Sequence, residues 1–435
     1  MTDATAPAAE QGQHIGVGPD STLHLHPLVV RDSDDDPDAV VMGRTELGEF
    51  VELPRVAADA IGLLGRGRTI GEVEAAVAAE HDVRLDLIEL AEALVELGFV
   101  ATVDSRSIPD LAKRLPGSHL PWLHDRHVRW LFSRPVGALW LGVLIAAIVT
   151  WWRQPDLFVE ASDFYWTSYV GLAVLVNTVL FSVSLSVHEL MHLAAARSYG
   201  APARISFATR LHHLVVQTDV TAIWAVPRRL RYRVYLAGIL WDGFVICACA
   251  LLVAYAGLPV GVDRLLTAVP LCVLLSLLFQ LQVYMRIDLY YVLMEWLRCR
   301  NLFHDGMAYA DHLLRRLARR PSADPSAGLA ARERRAVRLY AVAMAAGSLV
   351  ALSGFALLGL PILLEGVVRA FTGLIDGVHT GGLLQAVDSA LIIMVEGTLQ
   401  AVFLVTFYRR HRHRLPRRGA GWRARQMLRR QVSAH

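Results

Sequence analysis

Residues 172–196 read LAVLVNTVLFSVSLSVHELMHLAAA, an apolar stretch long enough to cross a bilayer, with two histidines and one glutamate near its end. Residues four apart on a helix share one face, so His188 and His192 can both reach a single metal ion. Glu189 would lie beside that ion, where it can take a proton from water. Ionisable side chains at membrane depth are rare and usually functional. The pattern therefore predicts a membrane helix that carries a zinc-dependent hydrolytic site.

A second interpretation of this stretch needs no metal. In it the helix simply ends here, and the histidines meet lipid headgroups or cap backbone carbonyls. The spacing of His188 and His192 at membrane depth favours the metal site over this alternative.

A zinc site also needs a third protein ligand and an open position for water. Two later aspartates are candidates. Asp288 lies in the segment YMRIDLYY and has a suitable depth, near the inner end of an apolar run. Asp242 lies in the segment LWDG of another apolar run and could instead be a polar packing residue.

The composition is that of a membrane protein. Of 435 residues, 54% are hydrophobic, and the mean hydropathy is +0.40. The four cysteines lie in or near apolar runs, which predicts buried hydrophobic residues and no disulfide framework. The N-terminus has no basic start followed by an apolar core, so we expect no secretory signal peptide. We therefore expect a multi-span α-helical integral membrane protein.

Charge patterning predicts how the chain crosses the membrane. Every second connection between apolar runs is basic, and Arg409 to Arg430 holds ten arginines and no acidic residue. The positive-inside rule then predicts a multi-pass protein of the cell's inner membrane, with both termini in the cytoplasm. Basic clusters beside spans follow from topology alone, so no nucleic-acid partner is expected. The predicted spans are six, at about 135–152, 167–196, 233–256, 265–293, 338–365 and 384–407.

The chain ahead of the spans has a different pattern. Residues 1–24 are rich in Ala, Gly, Gln and Pro and are predicted to be disordered. Residues 25–105 predict a small α+β domain, with three short strands, three helices and a returning strand. A basic linker at 106–134 leads to the membrane domain at 135–407, and a basic cytoplasmic tail follows at 408–435.

The order of elements in 25–105 resembles the PqqD-like fold, a winged-helix module that recognises precursor peptides. The matching features are the FVEL strand at 50–53, the helix after Pro54 and the TIGEV segment at 69–73. The resemblance implies that a sheet edge and the third helix hold a peptide leader by strand addition. A DNA-binding winged helix is the alternative, but five aspartates between 32 and 38 argue against phosphate contact. The residues so placed at the peptide are Phe50, Val51, Leu53, Leu87, Leu90 and Leu94.

The membrane part resembles the site-2 protease family of intramembrane metalloproteases, particularly its bacterial peptide zinc metalloprotease branch. The resemblance covers roughly residues 180–305 and rests on HELMH at 188–192 and DLYYVL at 288–293. Asn301-Leu302 and Ala237-Gly238 also stand at the family's usual places. The chain departs from the family where Leu289 replaces Gly, Ile239 replaces Pro, and Met285-Arg286 replaces a Pro-containing approach.

The resemblance implies that His188, His192 and Asp288 hold zinc, and that Glu189 is the general base and later proton donor. It also implies a β segment at membrane level, where Ala203–Phe207 and Leu214–Val220 alternate enough to form strands. An ordinary cytoplasmic loop is the alternative for those residues.

Together the two resemblances predict a site-2 protease-like enzyme that cleaves a leader-bearing precursor peptide delivered by its own cytosolic domain, with a peptide exporter as a possible partner. Two other functions stay open. One is a catalytically idle relative that binds a peptide for export or immunity. The other is a regulated intramembrane protease that acts on a membrane-anchored regulator.

Overall fold

The computed structural model describes residues 16–81, 85–114, 117–210, 213–299, 301–354, 356–357, 360–380 and 382–411. Within these residues the chain forms two compact units. The first takes its residues from Met1–Trp166, Val179–Ser206 and Val216–Ala351, and the second from Thr167–Thr178, Phe207–Val215 and Leu352–His435. The candidate metal ligands all belong to the first unit.

The N-terminal part of the first unit is a small α+β domain with the predicted order of strands and helices. A three-stranded antiparallel sheet has the order β2-β3-β4, and a second sheet has the order β1-β5-β6. Aliphatic side chains from the strands and from all three helices share one buried core. The elements are β1 (Leu23–Leu25), β2 (Val29–Asp32), β3 (Ala39–Arg44), β4 (Glu49–Pro54), α1 (Arg55–Leu64), α2 (Ile70–His81), α3 (Leu87–Glu96), β5 (Val100–Val103) and β6 (Arg106–Ser107).

The predicted start of this domain at residue 25 is too late. Strand β1 begins at Leu23, which is fully buried and pairs with Val103. The three-residue strand is too short to give a periodic pattern in the sequence, and its partner lies 80 residues further along. Residues 16–24 therefore have a defined structure, whereas residues 1–15 of the predicted disordered segment lie outside the described residues.

Among the residues that the structure describes, six helices are long and apolar enough to cross a membrane, as predicted. Hydropathy located all six starts within about seven residues. These candidate spans are Arg134–Arg153 (α5), Val170–Arg197 (α6), Arg228–Tyr255 (α7), Val260–Gln280 (α8), Ala331–Ser353 in α11 (Ala331–Gly354) and Leu383–Arg409 in α13 (Leu383–His411). The other helices of the described chain are α4 (Asp125–Val128), α9 (Asp288–Leu297), α10 (Leu302–Leu317) and α12 (Leu360–Thr380).

Two predicted spans were drawn too long. The fourth, predicted at 265–293, breaks after Gln280 and resumes as the short helix α9 at Asp288. Between them Arg286 adopts a left-handed conformation with φ of 59°, which ends regular helix. The fifth, predicted at 338–365, ends at Gly354, and residues up to 365 belong partly to α12. Apolar side chains continue through both regions, so hydropathy alone does not reveal the breaks.

The segment between α6 and α7 forms two paired strands, β7 (Arg204–Arg210) and β8 (His213–Asp219). The prediction of strands is therefore confirmed, whereas their position at membrane level stays a prediction. Within the connector before α5, Ser118 and His119 hydrogen-bond to Ala203 and Ile205 at the start of β7. The linker predicted at 106–134 is thus anchored to the membrane domain rather than free.

Candidate metal centre

Three side chains from two helices converge on one point. His188 and His192 lie one turn apart on α6, and their Nε2 atoms are 3.1 Å from each other. The Oδ2 atom of Asp288, at the start of α9, lies 2.9 Å from Nε2 of His188 and 3.0 Å from Nε2 of His192. Among the described residues, this is the one group of at least three His, Cys, Asp or Glu side chains close enough to share a metal ion.

Burial gives the cluster a closed side and an open side. The His188 side chain is fully buried and that of His192 is 5% exposed, whereas that of Asp288 is 21% exposed. Solvent can therefore approach along the carboxylate. A catalytic zinc site has the same requirement, because it keeps one position open for water.

The break between α8 and α9 brings Asp288 to this point. The backbone N–H of Asp288 donates to the side-chain Oε1 of Gln280 across the break, at 3.1 Å. Helix α9 is held further by Tyr290, whose hydroxyl accepts from the backbone N–H of Phe303. Burial raises the pKa of Tyr290 to about 12, so this phenol stays protonated.

The outer nitrogen of each histidine has its own partner. Nδ1 of His192 lies 2.7 Å from the carbonyl oxygen of Val234, which can only accept a hydrogen bond. Nδ1 of His188 lies 2.8 Å from Oδ2 of Asp242, a buried carboxylate. Both partners therefore favour a proton on Nδ1 and leave Nε2 with a free lone pair.

These tautomers leave three acceptor atoms facing one another. In these neutral tautomers, two Nε2 lone pairs and one carboxylate oxygen meet within hydrogen-bond distance of one another. Such an arrangement is repulsive unless a cation lies between the atoms. Two imidazoles and one carboxylate are also a ligand set that zinc accepts in catalytic sites. The residues present therefore fit a zinc ion.

Helix α7 lies against the cluster through a glycine. A Cβ atom on Gly238 would come within 2.5 Å of Nε2 of His188, closer than real Cβ contacts occur. The backbone of α7 can approach the ring because this position has no side chain. The same helix supplies Val234 and Asp242, the partners of both histidines.

Glu189 lies next to the cluster on α6 and is 5% exposed. It directly follows His188 in the sequence and lies three residues ahead of His192. The hydroxyl of Thr218, on β8, lies 2.5 Å from Oε2 of Glu189 and 3.1 Å from its backbone oxygen. A short contact of this kind orients the carboxylate.

Sequence reasoning anticipated some of these residues and missed others. His188, Glu189, His192 and Asp288 come together as expected. Asp242, the rival ligand, instead contacts the outer nitrogen of His188 and does not face the point where the other three meet. The sequence does not reveal these roles for Thr218, Val234 and Gly238, because a single contact across 29 or more residues leaves no local pattern. The role of Gln280, eight residues before Asp288, depends on the break between α8 and α9, which hydropathy does not show.

The predicted peptide-binding residues fall into two groups. Leu87 and Leu94 are each 1% exposed and form the core of their own domain, so they offer no surface to a bound peptide. The apolar stripe of α3 faces the core of the domain. An amphipathic stripe that packs in a core has the same sequence pattern as one that binds a peptide. The remaining four are only partly buried: Phe50, Val51, Leu53 and Leu90.

Comparison with protein-family models, curated proteins and solved structures finds no match to this chain.

Proposed function

We propose that this protein is a membrane-embedded zinc metalloendopeptidase. The observation that carries the proposal is the meeting of three acceptor atoms, from His188, His192 and Asp288, beside the buried carboxylate of Glu189. Two metal-binding histidines with an adjacent glutamate is the arrangement on which zinc peptidases rely. A structural zinc site would have no need of a positioned glutamate next to its ligands.

The chemistry follows from the residues around the cluster. A zinc ion held by His188, His192 and Asp288 would polarise a peptide carbonyl and make a nearby water more acidic. Glu189 takes a proton from the attacking water and later gives it to the leaving amine. Thr218 holds the Glu189 carboxylate in place during both transfers. Asp242 and the Val234 carbonyl keep the protons on the outer histidine nitrogens, so the inner ones stay free to bind metal.

The substrate class is proposed from the second module of the chain. A domain resembling precursor-peptide recognition elements precedes a membrane protease, and its partly buried β4 edge offers Phe50, Val51 and Leu53 to an added strand. We propose that a leader-bearing precursor peptide binds there and is cleaved at the metal centre. From the basic connections we propose that both the domain and the termini face the cytoplasmic side of the inner membrane.

Metal content and cleavage test the proposal together. The purified protein should hold about one zinc per chain by elemental analysis, because three protein ligands leave one open position. Replacing both His188 and His192 with Ala should empty the site, and unchanged zinc in that variant would refute the assignment.

The second half of the experiment uses the precursor peptide encoded nearest to the gene. Glu189→Gln should retain zinc but slow cleavage by several orders of magnitude, on the order of 10⁴-fold or more. Wild-type protein that holds zinc and cleaves nothing would favour the idle, peptide-binding alternative. Cleavage of a membrane-anchored regulator but not of the precursor would favour the regulated intramembrane protease.

A further inference from the structure

An acidic turn of the N-terminal domain is bonded to the membrane domain. The turn lies between β2 and β3 and projects Asp34 and Asp35. Oδ2 of Asp34 lies 2.9 Å from Nη2 of Arg231. Both carboxylate oxygens of Asp35 contact the guanidinium of Arg228, and Oδ1 lies 2.7 Å from Nη1. Arg298 adds a longer contact of 3.5 Å to Asp35. We refer to Asp34 and Asp35 as the docking aspartates.

The receiving surface is short of negative charge without this turn. Arg228 and Arg231 begin α7, and Arg298 follows α9. Glu295, near the end of α9, contacts Arg228 at 3.1 Å and Arg231 at 3.2 Å. The side chains of Arg231 and Glu295 are 0% and 2% exposed. Glu295 thus faces two arginines of α7, and the docking aspartates bring two more carboxylates to this group, where Asp34 also pairs with Arg31 of its own domain at 3.0 Å. Buried charges require such partners, because burial removes their hydration.

Further contacts show that the domain is seated and not merely tethered by two charges. The Nε of Arg31 donates to the backbone oxygen of Trp224, at 3.0 Å. The guanidinium of Arg231 lies over the Trp224 ring at 4.3 Å from its centroid. A Cβ atom on Gly48 would lie 3.3 Å from the side chain of Thr221. Strands β2, β3 and β4 all contact the turn at Thr221–Ala225, which follows β8.

The ion pairs of Arg228 and Arg231 with Glu295 join α7 to α9, and both of these helices carry parts of the metal centre. On α7, Val234 lies one turn after Arg231 and holds His192, and Asp242 lies further along and holds His188. On α9, Asp288 stands two turns ahead of Glu295. The ion pairs between Arg228, Arg231 and Glu295 therefore set where α9 lies against α7, and a metal site tolerates ligand displacements of only about 0.2 Å.

We propose that Asp34 and Asp35 are positioning residues of the metal centre, so that docking of the N-terminal domain assembles the zinc site. This inference rests on the proposed function. The N-terminal domain would then both bind the precursor peptide and position the metal ligands. With the docking aspartates in place, the two arginines are neutralised, α7 and α9 keep their spacing, and Asp288 meets the histidines. Without them, Glu295 is shared among uncompensated arginines and the spacing relaxes.

The test compares two double variants of the full-length protein in detergent. Asp34→Asn with Asp35→Asn removes the docking charges at almost constant volume. Asp36→Asn with Asp38→Asn removes the same charge from the same turn, from exposed residues that have no described contact with the membrane domain. Zinc affinity is measured by competition with a chelator, and hydrogen exchange is measured on peptides that cover 286–292.

The docking variant should bind zinc about 5- to 150-fold more weakly, the usual range of coupling between distant sites, and should exchange faster at 286–292. The control variant should match wild type in both measurements. Equal zinc affinity in the docking variant and wild type would overturn the inference, because the turn would then only anchor the domain. If wild type holds no zinc, the proposed function fails. The hydrogen-exchange measurement then tests the positioning role separately. An exchange rate at 286–292 that is the same in the docking variant and in wild type overturns that role.

Discussion

Replacing Gly238 with Ala should destroy the metal centre with the smallest possible change in side chain. The added Cβ would lie 2.5 Å from Nε2 and 2.6 Å from Cδ2 and Cε1 of His188. Ordinary van der Waals contacts begin at 3.4 Å, so the ring or α7 must move by about 0.9 Å. The ring itself is fully buried.

That displacement exceeds what zinc coordination allows. Ligand distances in zinc sites hold to within about 0.2 Å, so a shift of this size takes Nε2 of His188 out of bonding distance. We expect Gly238→Ala to lose most of its zinc, measured as metal per chain by elemental analysis after dialysis.

Gly243→Ala is the matched control on the same helix. A Cβ there meets only the Trp140 ring, at 3.6 Å, which is an ordinary contact. Both substitutions improve intrinsic helix propensity by about 1 kcal/mol, so propensity cannot separate them. The reasoning would be refuted by a Gly238→Ala protein that retains as much zinc as Gly243→Ala. A loss of zinc in both variants would point to a general effect on α7 instead of the contact with His188.

Three further predictions concern the metal centre and the binding of a peptide leader. Asp242→Asn should weaken zinc affinity by about 10- to 100-fold without abolishing it, as for other outer partners of metal-bound histidines; unchanged affinity in a chelator competition would show that its contact with His188 is incidental. Thr218→Val should keep zinc but lower the rate of peptide cleavage, because Glu189 loses its orienting hydroxyl, whereas Thr218→Ser should retain both; equal rates for the two variants would remove Thr218 from the mechanism. A precursor leader should bind the full-length protein with micromolar affinity, about 8 kcal/mol, and with little dependence on salt, since strand addition depends on backbone pairing; a steep salt dependence in a titration at two ionic strengths would argue for charge-driven binding.

Local patterns predicted much of the secondary structure. The Phe50–Leu53 strand, the helix after Pro54 and the amphipathic helix ending near Leu97 each leave a periodic signal within a few residues, and all three are present. Strand β1 was missed at Leu23 because its stability comes from pairing with Val103, far along the chain. Leu87 and Leu94 were assigned to a peptide pocket because periodicity identifies an apolar face but not what covers it.

The sequence by itself determined which side chains could bind a metal and that six helices could cross a membrane. Helical spacing puts His188 and His192 on one face, and hydropathy measures the length of a span; both are properties of neighbouring residues. Only the tertiary structure brings Asp288, and not Asp242, to the Nε2 atoms of both histidines, because that position depends on how the chain breaks after Gln280. It alone placed Gly238 against His188, Thr218 beside Glu189 and the acidic turn on Arg228 and Arg231. These contacts join residues that are 29 to 197 positions apart, and such distances are closed by packing, which no local pattern records.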